Sequence, residues 1–236
     1  MSLKLIISDL DGTILETEDY HRRAYNELFK EIGLAVTWSR QDYMDRLKIM
    51  GGGKLKEVFS WLDRSEKEYS SFKQEMYQRK TRLYIDLITA DLSLGNLTLR
   101  PGIERLFNEI HQENIPLAIG TACEKKAAFE VLESALGSSF LTSLKTLCGG
   151  DDTPHKKPDP AIYLLVAEQC GVDPKDCVVL EDTNHGMKAA LNAGMKCVVA
   201  PSEYAMEHDF TGASLCLKDF ETPHYLTLKK VSALFA

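Results

Sequence analysis

The chain opens with Leu3-Lys-Leu-Ile-Ile-Ser8, an apolar run that is followed at once by Asp9-Leu-Asp-Gly-Thr13. A short apolar run of this kind is typical of a strand covered on both faces, as in a parallel sheet. Because residues i and i+2 of a strand point to the same side, Asp9 and Asp11 are predicted to project together from the carboxyl edge of that sheet. Doubly wound sheets bind their ligands at this edge. The motif therefore indicates a functional site, with a solvated turn as the alternative.

Similar apolar runs recur along the chain and alternate with helical patterns. The runs lie at 117–120, 144–148, 177–180, 196–200 and 214–217. Between them, apolar residues repeat at helical spacing, for example Ile103, Leu106, Phe107 and Ile110. This alternation predicts an α/β domain with a doubly wound parallel sheet.

The segment 16–95 interrupts that alternation. It contains no convincing buried strand but several helical stripes, such as Tyr25, Leu28, Phe29 and Ile32. We therefore expect a helical domain at 16–95, inserted after the first strand of an α/β core that comprises 1–15 and 96–236.

Two further motifs follow predicted strands. Ile119-Gly-Thr-Ala122 places a hydroxyl between a strand and a helix, where Thr121 and the backbone N–H groups near Ala122 could hold a phosphate. An ordinary N-cap at Thr121 is the alternative. In Lys156-Lys-Pro-Asp-Pro160, the prolines hold the chain extended around a lysine, and a helix is predicted to open at Asp159-Pro160. The ammonium of Lys157 could neutralise both an aspartate and a phosphoryl oxygen, and a solvated lysine is the alternative.

The run 177–180 ends in a second pair of acids, Glu181 and Asp182. Adjacent residues of a strand cannot both face one point, so one of the two is predicted to contact a metal and the other to support it from behind. Two anions ~4 Å apart, like Asp9 and Asp11, repel by roughly 4 kcal/mol at an effective dielectric near 20. A hard divalent cation would offset that repulsion, and oxygen donors without His or Cys favour Mg²⁺.

Composition excludes several classes of protein. With 28 Lys and Arg against 35 Asp and Glu, the net charge of −7 argues against binding to nucleic acid. The six cysteines form no CxxC pair, and we interpret them as buried small apolar residues of a reducing compartment. No segment has the length of a signal peptide core or a membrane span. We expect a cytoplasmic monomer that binds neither nucleic acid nor membranes.

The order of these motifs resembles the haloacid dehalogenase superfamily of aspartate-dependent phosphotransferases. That family has DxDGT, then Thr or Ser, then Lys, then a pair of acids, in the order found here. The resemblance implies that Asp9 is the nucleophile and that Asp11 is the general acid and base. It also implies that Thr121 and Lys157 hold the phosphoryl group. Mg²⁺ would be bound by Asp9, by the backbone carbonyl of Asp11 and by Asp182, with Glu181 behind them.

The start of the inserted segment is similar to the CbbY-like group of sugar phosphate and bisphosphate phosphatases. The resemblance places Glu18 and His21 near the substrate, although a lone histidine in a helix is equally consistent with packing. The turn Gly51-Gly-Gly-Lys54 could hold a second phosphate through the N–H groups of Gly52 and Gly53 and the ammonium of Lys54. A helix–helix turn with a surface lysine is the alternative.

These expectations predict a Mg²⁺-dependent phosphatase that hydrolyses a small sugar phosphate or bisphosphate through an aspartyl phosphate. Three alternatives remain open. A sugar phosphomutase of the β-phosphoglucomutase type would use the same scaffold. A receiver-like signalling phosphoprotein also places Asp, Thr and Lys at strand ends, but such domains are usually smaller. An idle binding homologue is disfavoured because all the core motif positions are filled.

Overall fold

The computed structural model describes residues 2–47, 49, 53–62, 64–222 and 225–235. Within them lies one parallel sheet with the spatial order β3-β2-β1-β4-β5-β6. Its strands are β1 Leu5–Ser8, β2 Leu117–Gly120, β3 Leu147–Cys148, β4 Cys177–Glu181, β5 Lys196–Val199 and β6 Leu215–Cys216. Since β1 is central and β2 and β4 pair with it on either side, the chain reverses its winding direction beside β1. The structure confirms the predicted doubly wound α/β fold.

Ten α-helices accompany these strands in the described residues. They are α1 Glu18–Glu31, α2 Arg40–Asp45, α3 Lys54–Ser60, α4 Tyr69–Ser93, α5 Ile103–Gln112, α6 Lys125–Leu136, α7 Ser138–Ser143, α8 Ala161–Cys170, α9 Asn184–Asn192 and α10 Leu228–Ala233. Short 3₁₀ turns lie at Glu66–Glu68 and Pro174–Asp176. None of the described helices is long and apolar enough to cross a membrane.

The central strands of the sheet are apolar, which suits them to burial beneath the helices. All residues of β1, β2 and β4 are buried. On one face, Leu5 and Ile7 of β1 share a core cluster with Tyr163 of α8 and Met187 of α9. Each fully buried aliphatic side chain contributes about 1.5–3 kcal/mol relative to exposure. This burial gives the rigid sheet whose carboxyl edge carries the polar motifs.

By contacts, the chain divides into two compact units. One comprises Met1–Glu16 with Leu92–Ala236 and contains the sheet, and the other comprises Thr17–Asp91 and contains α1 to α3 and most of α4. In the helical unit, the aromatic rings of Tyr25, Phe29 and Trp38 pack together. The role of this unit as a functional domain with the bounds 16–95 stays a prediction.

Several details differ from the sequence predictions. The edge strands β3 and β6 are two residues each, because only the residues that pair with β2 and β5 enter the sheet. Helix α8 begins at Ala161, whose N–H donates to the Asp159 carboxylate at 2.9 Å. The cysteines are all free, but the prediction that all are buried holds for only three: Cys123 and Cys170 are partly exposed, and Cys216 is exposed because it lies on the edge strand β6.

Candidate active site

The predicted site residues of the core follow three neighbouring strands. Asp9 comes after β1, Thr121 after β2 and Asp182 after β4. The N–H of Asp9 donates to the carbonyl of Leu180 at 3.0 Å, which extends the β1–β4 pairing by one residue. Because parallel strands end at a common edge, the structure brings these three residues to the same edge of the sheet. All three are buried, with exposed fractions of 4% for Asp9, 1% for Thr121 and 3% for Asp182.

Lys157 supplies the positive charge of the site. Its ammonium donates to Oδ1 of Asp9 at 2.5 Å and to Oε1 of Glu181 at 2.7 Å, and it lies 4.8 Å from the centre of the Tyr163 ring. The residue comes from the loop between β3 and α8, and its peptide bond to Pro158 is cis. The structure thus contradicts a solvated lysine at this position, since Lys157 is only 6% exposed.

Glu181 is held by donors on both of its oxygens. Oε1 accepts from Lys157 and from the hydroxyl of Tyr163 at 2.8 Å. Oε2 accepts from the N–H groups of Asp182 and Thr183, at 2.8 and 2.9 Å, and from the Thr183 hydroxyl at 3.1 Å. A Cβ at Gly186 would overlap this carboxylate, so the first turn of α9 also fits closely around it. Glu181 is therefore saturated by protein donors, which suits a supporting role.

The charges of the cluster shift the pKa of each member. Burial, and then the charges of Glu181 and Asp9, hold the pKa of Asp182 well above its usual range. Burial also raises the pKa of Asp9, against the opposing charge of Lys157. Burial also acts to raise the pKa of Glu181, but the charge and hydrogen bond of Lys157 outweigh it, so the pKa lies below its usual value. The pKa of Lys157 is raised, since its two carboxylate partners outweigh its desolvation.

The donor set fits a divalent cation. Asp9 and Asp182 each place a carboxylate oxygen within 4.8 Å of the other and of Glu181, whose own oxygens are already occupied by protein donors, and all three residues are buried. When all three acids are ionised and Lys157 is protonated, the cluster carries two negative charges. A divalent cation would balance that charge and favour the ionised acids. Oxygen donors alone are the ligands that Mg²⁺ prefers, so the residues present suit this ion.

The turn after Asp9 packs directly against Asp182. Gly12 has φ +82°, and its N–H donates to the carbonyl of Leu15 at 2.7 Å. A Cβ at Gly12 would overlap the carboxylate of Asp182, so glycine is required both by conformation and by space. Asp11 is half-buried in the same turn. Its predicted roles, through its carboxyl group and its carbonyl, stay predictions.

Thr121 is not an N-cap. Helix α6 begins at Lys125, and the residues 122–124 form a turn between β2 and the helix. The Thr121 hydroxyl accepts from the N–H of Cys123 at 3.1 Å within that turn. Ala122 is exposed beside it. The alternative of an ordinary cap is thereby excluded, and phosphate binding by Thr121 and Ala122 remains a prediction.

In the helical unit, His21 lies between a lysine and a tyrosine. Its Nδ1 is 2.5 Å from the ammonium of Lys80, and its ring stacks on Tyr84 with the centroids 4.1 Å apart. Burial, followed by the charges of Lys80 and Lys54, lowers the pKa of His21 well below its usual value. His21 is therefore neutral at pH 7 and can accept a hydrogen bond through one ring nitrogen.

The other predicted residues of the helical unit lie on α1 and at the start of α3. Oε1 of Glu18, on α1, accepts from the Tyr43 hydroxyl of α2 at 2.8 Å. Gly53 directly precedes α3, and Lys54 is the first residue of that helix. The Lys54 ammonium donates to the carbonyl of Ile49 at 2.7 Å, and its residue is 7% exposed, which contradicts a surface lysine. Gly52 lies outside the described residues.

The sequence arguments missed two residues of the core site. Tyr163 donates to Glu181 and lies beside Lys157, and its place in the first turn of α8, just beyond Lys157, was the available signal. Ser202 is 2% exposed and lies beside Gly12 and Asp182, since a Cβ added at Gly12 would be 3.0 Å from the Cβ of Ser202. Because Ser202 follows β5 by three residues, the rule that found the other motifs at strand ends applies to it as well.

The comparisons with known proteins each cover most of the chain. A family model described as haloacid dehalogenase-like hydrolase matches residues 3–194. A CBBY-like protein of Arabidopsis thaliana is 37% identical in an alignment of 216 positions, which covers 88% of this chain and 66% of that longer protein. The β-phosphoglucomutase of Bacillus subtilis is 34% identical over 83% of this chain and 82% of its own length.

A solved structure of a CbbY protein has the same fold as this chain. A variant of CbbY from Rhodobacter sphaeroides, in complex with xylulose bisphosphate, superposes with a TM-score of 0.82 and 30% sequence identity. The superposition covers 95% of this chain and 97% of that one. The likeness therefore includes the segment 17–91 as well as the sheet.

Proposed function

The chain belongs to the haloacid dehalogenase-like hydrolases and is a hydrolase of the phosphatase type, and we propose that its substrate is a small sugar phosphate or bisphosphate. One observation carries the proposal: Asp9 forms a buried cluster with Lys157, Glu181 and Asp182, in which carboxylate oxygens of the three acids lie within 4.8 Å of one another. The CbbY relative bound to xylulose bisphosphate supports the sugar bisphosphate class.

In the proposed first step, a carboxylate oxygen of Asp9 attacks phosphorus and the bond from phosphorus to the sugar oxygen breaks. Asp11 gives a proton to the leaving oxygen. Lys157 and the Thr121 hydroxyl hold the phosphoryl oxygens. Asp9, Asp182 and the carbonyl of Asp11 would hold Mg²⁺, which would stabilise the charge on the transferring group.

In the second step, Asp11 takes a proton from water, which attacks the phosphorus of the aspartyl phosphate. The bond from phosphorus to Asp9 breaks, inorganic phosphate leaves and the carboxylate of Asp9 is restored. Glu181 keeps the ammonium of Lys157 in place through both steps. The ammonium nitrogen of Lys157 lies 2.5 Å from Oδ1 of Asp9. This closeness supports Asp9 as the nucleophile and Lys157 as the cation beside the phosphoryl group.

We further propose that Glu18, His21 and the turn at Gly52, Gly53 and Lys54 select the substrate. The buried ammonium of Lys54 and the neutral ring of His21 are suited to a phosphate and a sugar hydroxyl. In this proposal, a substrate with two phosphates is preferred to one with a single phosphate.

The test is a screen of phosphate release from sugar mono- and bisphosphates, with Mg²⁺ and with a chelator. We expect release that requires Mg²⁺, is fastest with a sugar bisphosphate and is lost in Asp9→Asn. Equal release with the chelator, or appreciable release by Asp9→Asn, would overturn the proposal.

The similarity to a β-phosphoglucomutase favours a second candidate. A mutase would pass the phosphoryl group from Asp9 to a hydroxyl of the sugar instead of to water. The same screen distinguishes the two, because a mutase would interconvert sugar monophosphate isomers without net release of phosphate.

The compartment and the oligomeric state belong to the same proposal. We propose a cytoplasmic monomer with a small-molecule substrate, supported by six free cysteines and a net charge of −7. Light scattering of the purified protein at micromolar concentration would show a dimer if the monomer is wrong.

A further inference from the structure

Arg100 lies at the start of the segment that returns to the core, and its guanidinium is buried, with the residue 6% exposed. Nη1 donates to the carbonyls of Gly12 and of Ala200, the latter at 2.7 Å, and Nη2 donates to the carbonyl of Pro201 at 2.8 Å. Nε pairs with Glu16 at 3.1 Å. One side chain therefore joins the turn after the nucleophile strand to the loop after β5.

Both of those segments lie close to Asp182. The Cα of Gly12 packs so closely on the Asp182 carboxylate that a Cβ would overlap it. Ser202, directly after the two carbonyls that Arg100 binds, also lies here, since its Cβ would be 3.0 Å from that added Cβ. The distance between the two segments therefore determines the space that is left for Asp182.

Arginine suits this position because its donors form a rigid planar fork. A guanidinium can hold carbonyls of separate segments at fixed directions, whereas an ammonium is a compact charge on a flexible stem. Arg100 also donates its backbone N–H to the carbonyl of Ile14 at 2.8 Å, so the residue contacts the nucleophile turn through backbone and side chain.

We propose that Arg100 is a positioning residue for the metal site: by tying Gly12 to Ala200 and Pro201, it places the Asp182 carboxylate opposite Asp9. It contacts neither substrate nor metal. The inference rests on the proposed function, since it concerns the metal that the phosphatase would use, but its test is a binding measurement that needs no substrate.

The test compares the binding of Mn²⁺, a hard cation that serves as a spectroscopic probe, by the metal-free wild-type protein, Arg100→Lys and Arg100→Met. Free Mn²⁺ is measured by electron paramagnetic resonance, and the thermal midpoint is recorded for each protein. Changes behind metal ligands typically weaken binding 10–100-fold. We expect roughly 10-fold weaker binding in Arg100→Lys and a larger loss in Arg100→Met.

Arg105→Met is the matched control. Arg105 also binds two backbone carbonyls, of Phe220 at 2.8 Å and of Leu226 at 3.2 Å, together with the carboxylates of Glu109 and Glu221. We expect this variant to lower the thermal midpoint without changing Mn²⁺ affinity. In activity assays, the Arg100 variants should need more Mg²⁺ for half-maximal rate and should recover most of kcat at saturating Mg²⁺.

Wild-type Mn²⁺ affinity in Arg100→Lys would overturn the inference, whatever the thermal midpoint, and this variant carries the test if Arg100→Met does not fold. Equal weakening by Arg105→Met would also overturn it, because the effect would then be one of general stability. If the wild-type protein binds Mn²⁺ but releases no phosphate from any substrate, the proposed function fails while the inference about Arg100 stands or falls on affinity alone.

Discussion

Each of the two units of the molecule contains a buried lysine near the predicted site, but only the lysine of the core is paired with carboxylates. In the core, Lys157 is 6% exposed and donates to two carboxylates, and in the helical unit, Lys54 is 7% exposed and donates to the carbonyl of Ile49. Among the described residues, no carboxylate oxygen lies within ion-pair distance of the Lys54 ammonium. Desolvation lowers the pKa of Lys54, against a weaker opposing effect of Glu18. The pKa of Lys157 is instead raised.

The difference separates a charge that is compensated inside the protein from one that is not. An ammonium between two buried acids holds its own site together and has a fixed position before substrate arrives. An ammonium buried without a hydrogen-bonded acid costs stability, and an anion from outside would relieve that cost. Loss of Lys157 should therefore lower the unfolding free energy and kcat, whereas loss of Lys54 should raise KM without a loss of stability.

The largest expected effect is that of Lys157→Met. Removing one partner from a buried ion cluster leaves uncompensated charge and costs about 3–5 kcal/mol. We expect the free energy of unfolding to fall by that amount and kcat to fall by about 10³-fold, since the phosphoryl group loses its cation. Urea denaturation and phosphate release measure the two quantities.

Lys156→Met is the control for Lys157→Met, because Lys156 is the exposed neighbour in the same loop. A change below about 0.5 kcal/mol is expected there, as for other surface positions. If the two variants lost equal stability, the ion pairs of Lys157 with Asp9 and Glu181 would not be the source of its stabilising effect.

Lys54→Met should show the opposite pattern. We expect unfolding free energy to be unchanged or higher, because a desolvated cation is replaced by an apolar side chain of similar length. The KM for a sugar bisphosphate should rise roughly 10- to 100-fold, as for loss of a charge-assisted hydrogen bond, with the KM for a monophosphate nearly constant. Lys56→Met, an exposed lysine on the same helix, is the control. An equal rise of KM for both kinds of substrate would contradict the role of Lys54.

Tyr163→Phe should have a smaller effect. The hydroxyl gives one of the five hydrogen bonds that Glu181 accepts, so its loss should cost about 1–3 kcal/mol of unfolding free energy. Because Glu181 keeps Lys157 in place, kcat should fall by less than about 10-fold. Stability at the wild-type level would show that the Tyr163 hydroxyl does not hold Glu181.

The smallest effect concerns pH. Because the pKa of Lys54 lies below the 10.5 of the unfolded chain, the unfolded state binds more protons in that interval, and the Lys54 contribution to stability rises with pH up to 10.5. For Lys157 the pKa is raised, so its contribution is fully present below 10.5 and is lost above it. Urea unfolding from neutral pH to about pH 10 should therefore show any advantage of Lys54→Met shrinking as pH rises. A constant difference would contradict the lowered pKa.

The fold and the core of the site could be predicted because they depend on local sequence patterns. Apolar runs that end in Asp9, Thr121 or Asp182 predict strands, and parallel strands bring their ends to one edge. Contacts between distant segments could not be predicted in this way. Nothing in the local sequence shows that Ser202 lies beside Gly12 and Asp182, or that Arg100 binds carbonyls 88 and 100 residues away.

Burial was the other quantity that the sequence did not reveal. Lys54 follows a run of glycines, a composition that is equally typical of an exposed turn, and its desolvation comes from the packing of α3. The alternative prediction that Thr121 is an N-cap was wrong for a related reason. The number of turn residues before α6 depends on how that helix packs and not on Thr121 itself.

The central claim is that Asp9 becomes covalently phosphorylated during turnover. The most direct measurement is mass spectrometry of protein quenched in acid within milliseconds of mixing with a sugar bisphosphate and Mg²⁺. We predict one added phosphoryl group on the peptide that contains Asp9, absent from Asp9→Asn and lost on treatment with hydroxylamine. A phosphoryl group on any other residue, or turnover without any phosphorylated protein at the shortest times, would contradict the account.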